Sequence, residues 1–185
     1  TPGEYQVRIT NSGTTDVVFD SGTINLTGDA ERQMILVDNA SNSSASLSMI
    51  RTFGLDSVVT GDVAYGGRVR GLNIDTLEGP LDILAGPAQA PVALALDYGS
   101  LGDFVVLDGG DLDFLVTPTG DISTPLLEIM GTVEAGKEYT FVTGSSADGM
   151  IGVLGADDRR GVVTEGRLRA IHAINTGEIV NVYLS

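Results

Sequence analysis

The chain has 185 residues, of which 42% are hydrophobic, with a formal net charge of −15 and neither cysteine nor tryptophan. This composition supplies one or two apolar cores and is too hydrophobic for a disordered segment. The charge excludes a nucleic-acid binder that neutralises phosphates and disfavours an anionic membrane surface, while absent cysteine excludes disulfides, thiolate metal sites and cysteine nucleophiles together.

Twenty-five glycines, six prolines and many Thr, Val and Ile read as short strands joined by tight turns. Tyr5-Gln6-Val7-Arg8-Ile9 alternates apolar and polar, which predicts a half-buried strand with Gln6 and Arg8 facing water. Asn11 to Thr14 makes a turn, and Val17-Val18-Phe19 leads a second strand through Ile24 and Leu26. Gln33 to Val37 predicts a third strand and Leu47 to Ile50 a fourth, with the polar run Asn39 to Ser46 as a loop between them. Thr52 to Tyr65 reads as a connection. Eight further strands follow: Arg68–Ile74, Leu81–Leu84, Val92–Tyr98, Phe104–Leu107, Leu112–Thr117, Leu126–Val133, Tyr139–Thr143 and Ile151–Leu154. Turns at Glu78-Gly79-Pro80, Ala85-Gly86-Pro87, Asp108-Gly109-Gly110 and Pro118-Thr119-Gly120 separate some of them. Strands at this spacing predict an all-β sandwich or barrel. Its expected core is Phe19, Val69, Leu72, Leu81, Ile83, Leu126 and Leu127, while Arg68 and Arg70 share one outward strand face, where Asp partners are expected.

Two self-matches set the organisation. Gly67-Arg68-Val69-Arg70-Gly71-Leu72-Asn73 aligns without a gap on Gly166-Arg167-Leu168-Arg169-Ala170-Ile171-His172, and the register continues from Leu81–Leu84 to Val180–Tyr183. Gly3 to Thr10 aligns on Gly110 to Thr117, and Ser21-Gly22-Thr23-Ile24 on Met130-Gly131-Thr132-Val133. The expected organisation is the back half of a sandwich repeat over 1–58, a complete repeat over 66–160, and the opening strands of another over 165–185.

Gly166 to Ala173 followed by Val180 to Leu184 resembles the opening of repeats in a known family. Gly110 to Thr117, Thr124-Pro125-Leu126-Leu127 and Glu134-Ala135-Gly136-Lys137-Glu138-Tyr139-Thr140 resemble later parts of the same repeat. The family is the bacterial and archaeal surface-repeat family catalogued as domain of unknown function 4397. The resemblance implies exported tandem β-sandwiches of immunoglobulin type, and it brings no catalytic residue with it. The complete repeat departs from the family's opening pattern, having Asn73-Ile74 where the last segment has His172-Ala173.

The residues offer little for catalysis. His172 is the only histidine, so no Ser-His-Asp triad or histidine-rich metal site can be assembled around more than one ring. Asp111 and Asp113 on one strand face, and Asp157-Asp158 in a turn, could bind calcium weakly, although no EF-hand spacing is present. No phosphate loop occurs, aromatic platforms for sugars are sparse, and sequons stand at Asn25, Asn39 and Asn42. The expectation is therefore a non-enzymatic structural protein of the cell surface or of an extracellular filament, with no cofactor and no membrane insertion. Its partners would be copies of itself or neighbouring repeats, joined by strand complementation. The expected assembly strands carry Tyr5, Val7 and Ile9 on one side, and Arg167, Leu168, Arg169, Ile171, Val180, Val182 and Tyr183 on the other. The alternative is an adhesin-like module holding a surface glycan or protein through loops such as Ala85–Ala90 and Ser145–Gly149.

Overall fold

A computed structural model of the protein describes residues 2–27, 32–38, 47–53, 56–157 and 181. Strands β1 (Gly3–Thr10) and β2 (Val17–Leu26) pair antiparallel. The turn between them closes where Thr14 N donates to Asn11 O at 3.1 Å and Asp16 N to Thr14 Oγ1 at 3.2 Å. Strands β3 (Arg32–Asp38), β4 (Leu47–Phe53) and β5 (Asp56–Gly61) form a second antiparallel sheet in that order. Phe19, Ile24 and Met49 are buried between the two sheets, with Val7, Ile9, Leu26 and Leu47 packed around them. Strand β5 corrects the reading of Thr52–Tyr65 as a plain connection, because Asp56–Gly61 pairs along β4 from Phe53↔Asp56 to Ser48↔Gly61. A single 3-10 turn, Val63–Tyr65, follows, capped by Asp62, whose Oδ1 accepts from Ala64 N at 3.0 Å.

The remaining strands are β6 (Gly67–Asn73), β7 (Leu81–Ala85), β8 (Ala90–Leu96), β9 (Val105–Leu107), β10 (Gly110–Pro118), β11 (Leu127–Val133), β12 (Glu138–Ser146) and β13 (Gly149–Asp157). They build a sandwich of two four-stranded sheets, ordered β11-β10-β7-β8 and β13-β12-β6-β9. Strand period two explains the core: Val69, Leu81, Ile83, Phe114, Val116 and Phe141 have no exposed surface, and the Phe114 and Phe141 rings stack 5.0 Å apart. Leu126 and Leu127 pack on this core while half-buried. Leu72 does not enter it. The inward face of β6 is Gly67, Val69, Gly71 and Asn73, so Leu72 falls on the other face with Arg68 and Arg70.

All named pairings are antiparallel except one. β6 runs parallel to β12 from Arg68↔Glu138 to Asn73↔Thr143, which brings the unit's first strand into the centre of a sheet beside its penultimate one. The order therefore differs at this place from the ABED-over-CFG order of immunoglobulin domains. The edge strands of the two sheets are β8 and β11, and β9 and β13.

Candidate assembly site

The self-matches acquire meaning once the strands are placed. The matching sequence segments lie on β1 and β10, and β1 pairs antiparallel with β2 as β10 does with β11. In the complete unit β10 lies between β11 and β7, and β12 between β13 and β6. Among the described residues of the N-terminal unit, β1 has β2 as its one neighbour and β3 has β4.

Burial follows that difference. Val7 and Ile9 correspond to Phe114 and Val116, which are fully buried, yet both are only half-buried. On β3, Leu36 stands opposite Met49 and Met34 opposite Arg51, which puts both on the face that Met49 turns toward the core. They are nevertheless 40% and 41% exposed. Ile35 is 45% exposed on the other face of the same strand. An apolar run open on both faces at the edge of a sheet is a ready template for another strand.

These strands lie away from the complete unit. The joint between the units is made by β5 and the turn after it. A Cβ at Gly61 would meet Gly136 Cα at 2.6 Å, and Gly136 N donates to Gly66 O at 2.6 Å. A cleft of about 470 Å³ at this joint is lined by Ser21, Thr23 and Ile24 of β2, Val58 to Gly61 of β5, and Thr132 to Ala135. β1 lies beyond β2 from this joint, and β3 beyond β4 and β5.

Polar groups fix the outer face of β1. Asp20 accepts from Gln6 Nε2 at 2.8 Å, from Arg8 Nε at 2.8 Å and from Gly22 N at 2.9 Å. Desolvation pushes the Asp20 carboxyl up, but the Gly22 amide, then Gln6 and Arg8, outweigh it and hold its pKa below the ordinary value. Gln6 and Arg8 are exposed, as the alternation predicts.

The Arg68 and Arg70 pair does find acidic partners. Arg68 Nη1 lies 2.6 Å from Glu138 Oε1, and Arg70 Nη2 lies 2.9 Å from Asp157 Oδ2, with Arg70 Nε donating to Thr140 Oγ1 at 3.0 Å. Both guanidinium groups sit over the Phe104 ring, 4.7 and 4.5 Å from its centroid. This ties β6, β12, β13 and the β9 approach together. A second polar tie is Asp75, buried and accepting from Glu78 N at 2.7 Å, Leu77 N at 2.9 Å and Ser145 Oγ. Burial raises its pKa, but the Glu78 amide, Ser145 and the Leu77 amide together hold it below the ordinary carboxylate value.

Of the expected assembly residues, Tyr5, Val7 and Ile9 lie on β1. Arg167, Leu168, Arg169, Ile171, Val180, Val182 and Tyr183 lie outside the described residues, as does His172, and Asn181 is exposed. Met34, Ile35 and Leu36 were not singled out as assembly residues, although the unbroken apolar run Met34 to Val37 signals a strand covered on both faces. Asp111 and Asp113 are exposed, and Asp111 accepts from Thr132 Oγ1 at 2.6 Å. Among the described residues no three His, Cys, Asp or Glu side chains gather as a metal site, and no helix is long and apolar enough to cross a membrane. No family model matches the chain, and no curated protein does. The likeness to the surface-repeat family thus rests on the residues quoted for it.

Proposed function

We propose that this is a non-enzymatic structural protein of the cell surface or of an extracellular filament, which assembles head-to-tail by β-strand complementation. The observation that carries the reading is the half-sandwich of β1 to β5. Its Val7, Ile9, Met34 and Leu36 remain partly or largely exposed, whereas Phe114 and Val116, the counterparts of Val7 and Ile9, are fully buried. Added strands would bury this surface and satisfy backbone groups along β1 and β3. The acceptor strands point away from the complete unit, and a head-to-tail contact of that kind extends into an open line unless its rotation closes. An acidic coat keeps the lateral faces soluble. The partners are copies of the chain or neighbouring repeats, and the surface location follows from the family resemblance. Light scattering over a concentration series, with negative-stain electron microscopy, tests the reading. Growth with concentration and regular fibres are expected. A strict monomer at every concentration would overturn it and favour the adhesin-like alternative, in which loops such as Ala85–Ala90 and Ser145–Gly149 hold a glycan or protein.

A further inference from the structure

We infer that β3 is a two-fold contact edge, pairing antiparallel with β3 of a second copy in a register centred on Ile35. The inference goes beyond the head-to-tail reading and competes with it for one of its two acceptor edges. A β3 taken by its twin leaves β1 alone for a donated strand.

The strand reads Arg32-Gln33-Met34-Ile35-Leu36-Val37-Asp38. Its two ends carry opposite charges, and four consecutive apolar residues fill the stretch from Met34 to Val37. A two-fold axis at Ile35 sets each residue opposite the one equally far along on the other side of Ile35. Arg32 then faces Asp38 of the second copy, and Asp38 faces its Arg32, so one register makes two ion pairs at once. Between them Met34 faces Leu36, and Ile35 meets its own twin. Displacing the register by two residues in either direction breaks both ion pairs. Displacing it by one sets the core-facing side of one copy against the outward side of the other.

The faces agree with that register. Arg32, Met34, Leu36 and Asp38 stand opposite Phe53, Arg51, Met49 and Leu47, so all four share the face that Met49 turns toward the buried Phe19 and Ile24. Pairing joins two such cores side by side under one sheet, ordered β5-β4-β3-β3-β4-β5. It also covers the outward Ile35 with its twin. Asp38 is exposed. Arg32 donates to Thr27 O and stands over the Phe53 ring, 5.5 Å from its centroid, which leaves further guanidinium N–H groups for a carboxylate.

Other edges are guarded where β3 is not. β8 carries Pro91 and register shifts against β7, β9 is three residues long, and β1 is shifted at two places against β2. β3 has neither proline nor shift, and it runs in seven unbroken pairs from Arg32↔Phe53 to Asp38↔Leu47. A regular apolar edge whose two charges complement its own reverse selects a second copy of itself over other strands.

The chain has no cysteine, so Ile35→Cys alone tests the axis. It sets two thiols directly opposite, whereas Gln33→Cys leaves them about 13 Å apart. Mild oxidation of the full chain should link the first variant into a covalent dimer on a non-reducing gel, with about tenfold less from the second. Equal linking in both would overturn the register. In sedimentation velocity, Arg32→Glu or Asp38→Arg should each weaken dimerisation about tenfold, and the two together should restore it. No restoration would overturn the ion-pair argument. A mass that levels at twice the 19.2 kDa of the chain, with the Ile35→Cys link formed, upholds the pairing and overturns head-to-tail growth. Growth beyond that mass with the link formed upholds both, and growth without the link overturns the pairing alone. A monomer at every concentration overturns both.

Discussion

The inward glycine of β6 sets up a coupled pair whose energetics can be worked from the distances. Gly71→Ala places a methyl 2.7 Å from Ile83 Cδ1, closer than neighbouring carbons tolerate, with Leu96 and Ala93 at 3.1 and 3.2 Å. Overpacking of this kind costs about 1–3 kcal/mol, and the smaller entropy of the unfolded alanine chain returns roughly 0.4–1 kcal/mol. The net expectation for Gly71→Ala is about 1–2 kcal/mol lost. Ile83→Val alone removes one buried methyl and should cost about 0.5–1.5 kcal/mol. Together, the added methyl occupies the space the removed one vacates, so the double variant should be no less stable than Ile83→Val, a coupling of about 1–2 kcal/mol. The Leu96 and Ala93 contacts, at 3.1 and 3.2 Å, persist but ask for shifts of only a few tenths of an ångström. With no tryptophan in the chain, urea unfolding followed by far-UV circular dichroism is the assay, with unchanged m-values as the check that unfolding is comparable. A double variant that loses the sum of the two single losses would refute the reasoning.

Three further outcomes are expected. Phe114→Ala or Phe141→Ala should each cost about 3–5 kcal/mol, because each deletes one ring of a fully buried stack; a loss under about 1 kcal/mol in urea unfolding would contradict the packing. Asp75 is held below its ordinary pKa, so its contribution is complete above the unfolded carboxylate's pKa and is lost as pH falls through the lower folded value. Asp75→Asn should therefore lower stability at neutral pH by about 1–2 kcal/mol, with the gap to the parent closing in acid melts below the ordinary carboxylate range. Gly136 has φ of 71° and stands against Gly61 at the joint, so Gly136→Ala should cost about 1–3 kcal/mol and speed amide exchange at the joint; unaltered exchange there would count against a close-packed joint.

Much of the sandwich was legible because alternation at period two is a local property. Each of the eight strands of the complete unit overlaps an expected one, as do β1 to β4, although β4, β12 and β13 run about three residues past the expected ends. What failed depended on partners. β5 has only Val58 and Val59 as large apolar residues, and its strand character comes from pairing along β4, which a sequence does not print. Leu72 was expected inside because it is the larger apolar residue, whereas the inward positions belong to Gly71 and Asn73. Gly71 allows the close approach of Ile83, and the buried Asn73 donates to Leu96 O and accepts from Asp75 N, both at 2.8 Å. The parallel pairing of β6 with β12 joins residues about seventy positions apart and leaves no mark in hydropathy. For the candidate site, the repeats gave Val7 and Ile9, and only the placement of β3 at a sheet edge drew attention to Met34, Ile35 and Leu36.

The parallel β6–β12 pairing has a consequence for how such a protein can vary. Arg68 stands beside Glu138, and Glu138 stands beside Asp157 on its other side. The chain thus enters and leaves the complete unit at one end, on the two flanks of a single strand, roughly 10 Å apart at the usual strand spacing. A unit of this kind has its first and last strands side by side, flanking one strand. It can be duplicated or excised in one step, since the ends left behind already lie within the reach of a short linker. Gene rearrangement could therefore lengthen or shorten the protein by whole sandwiches while every remaining core stays intact.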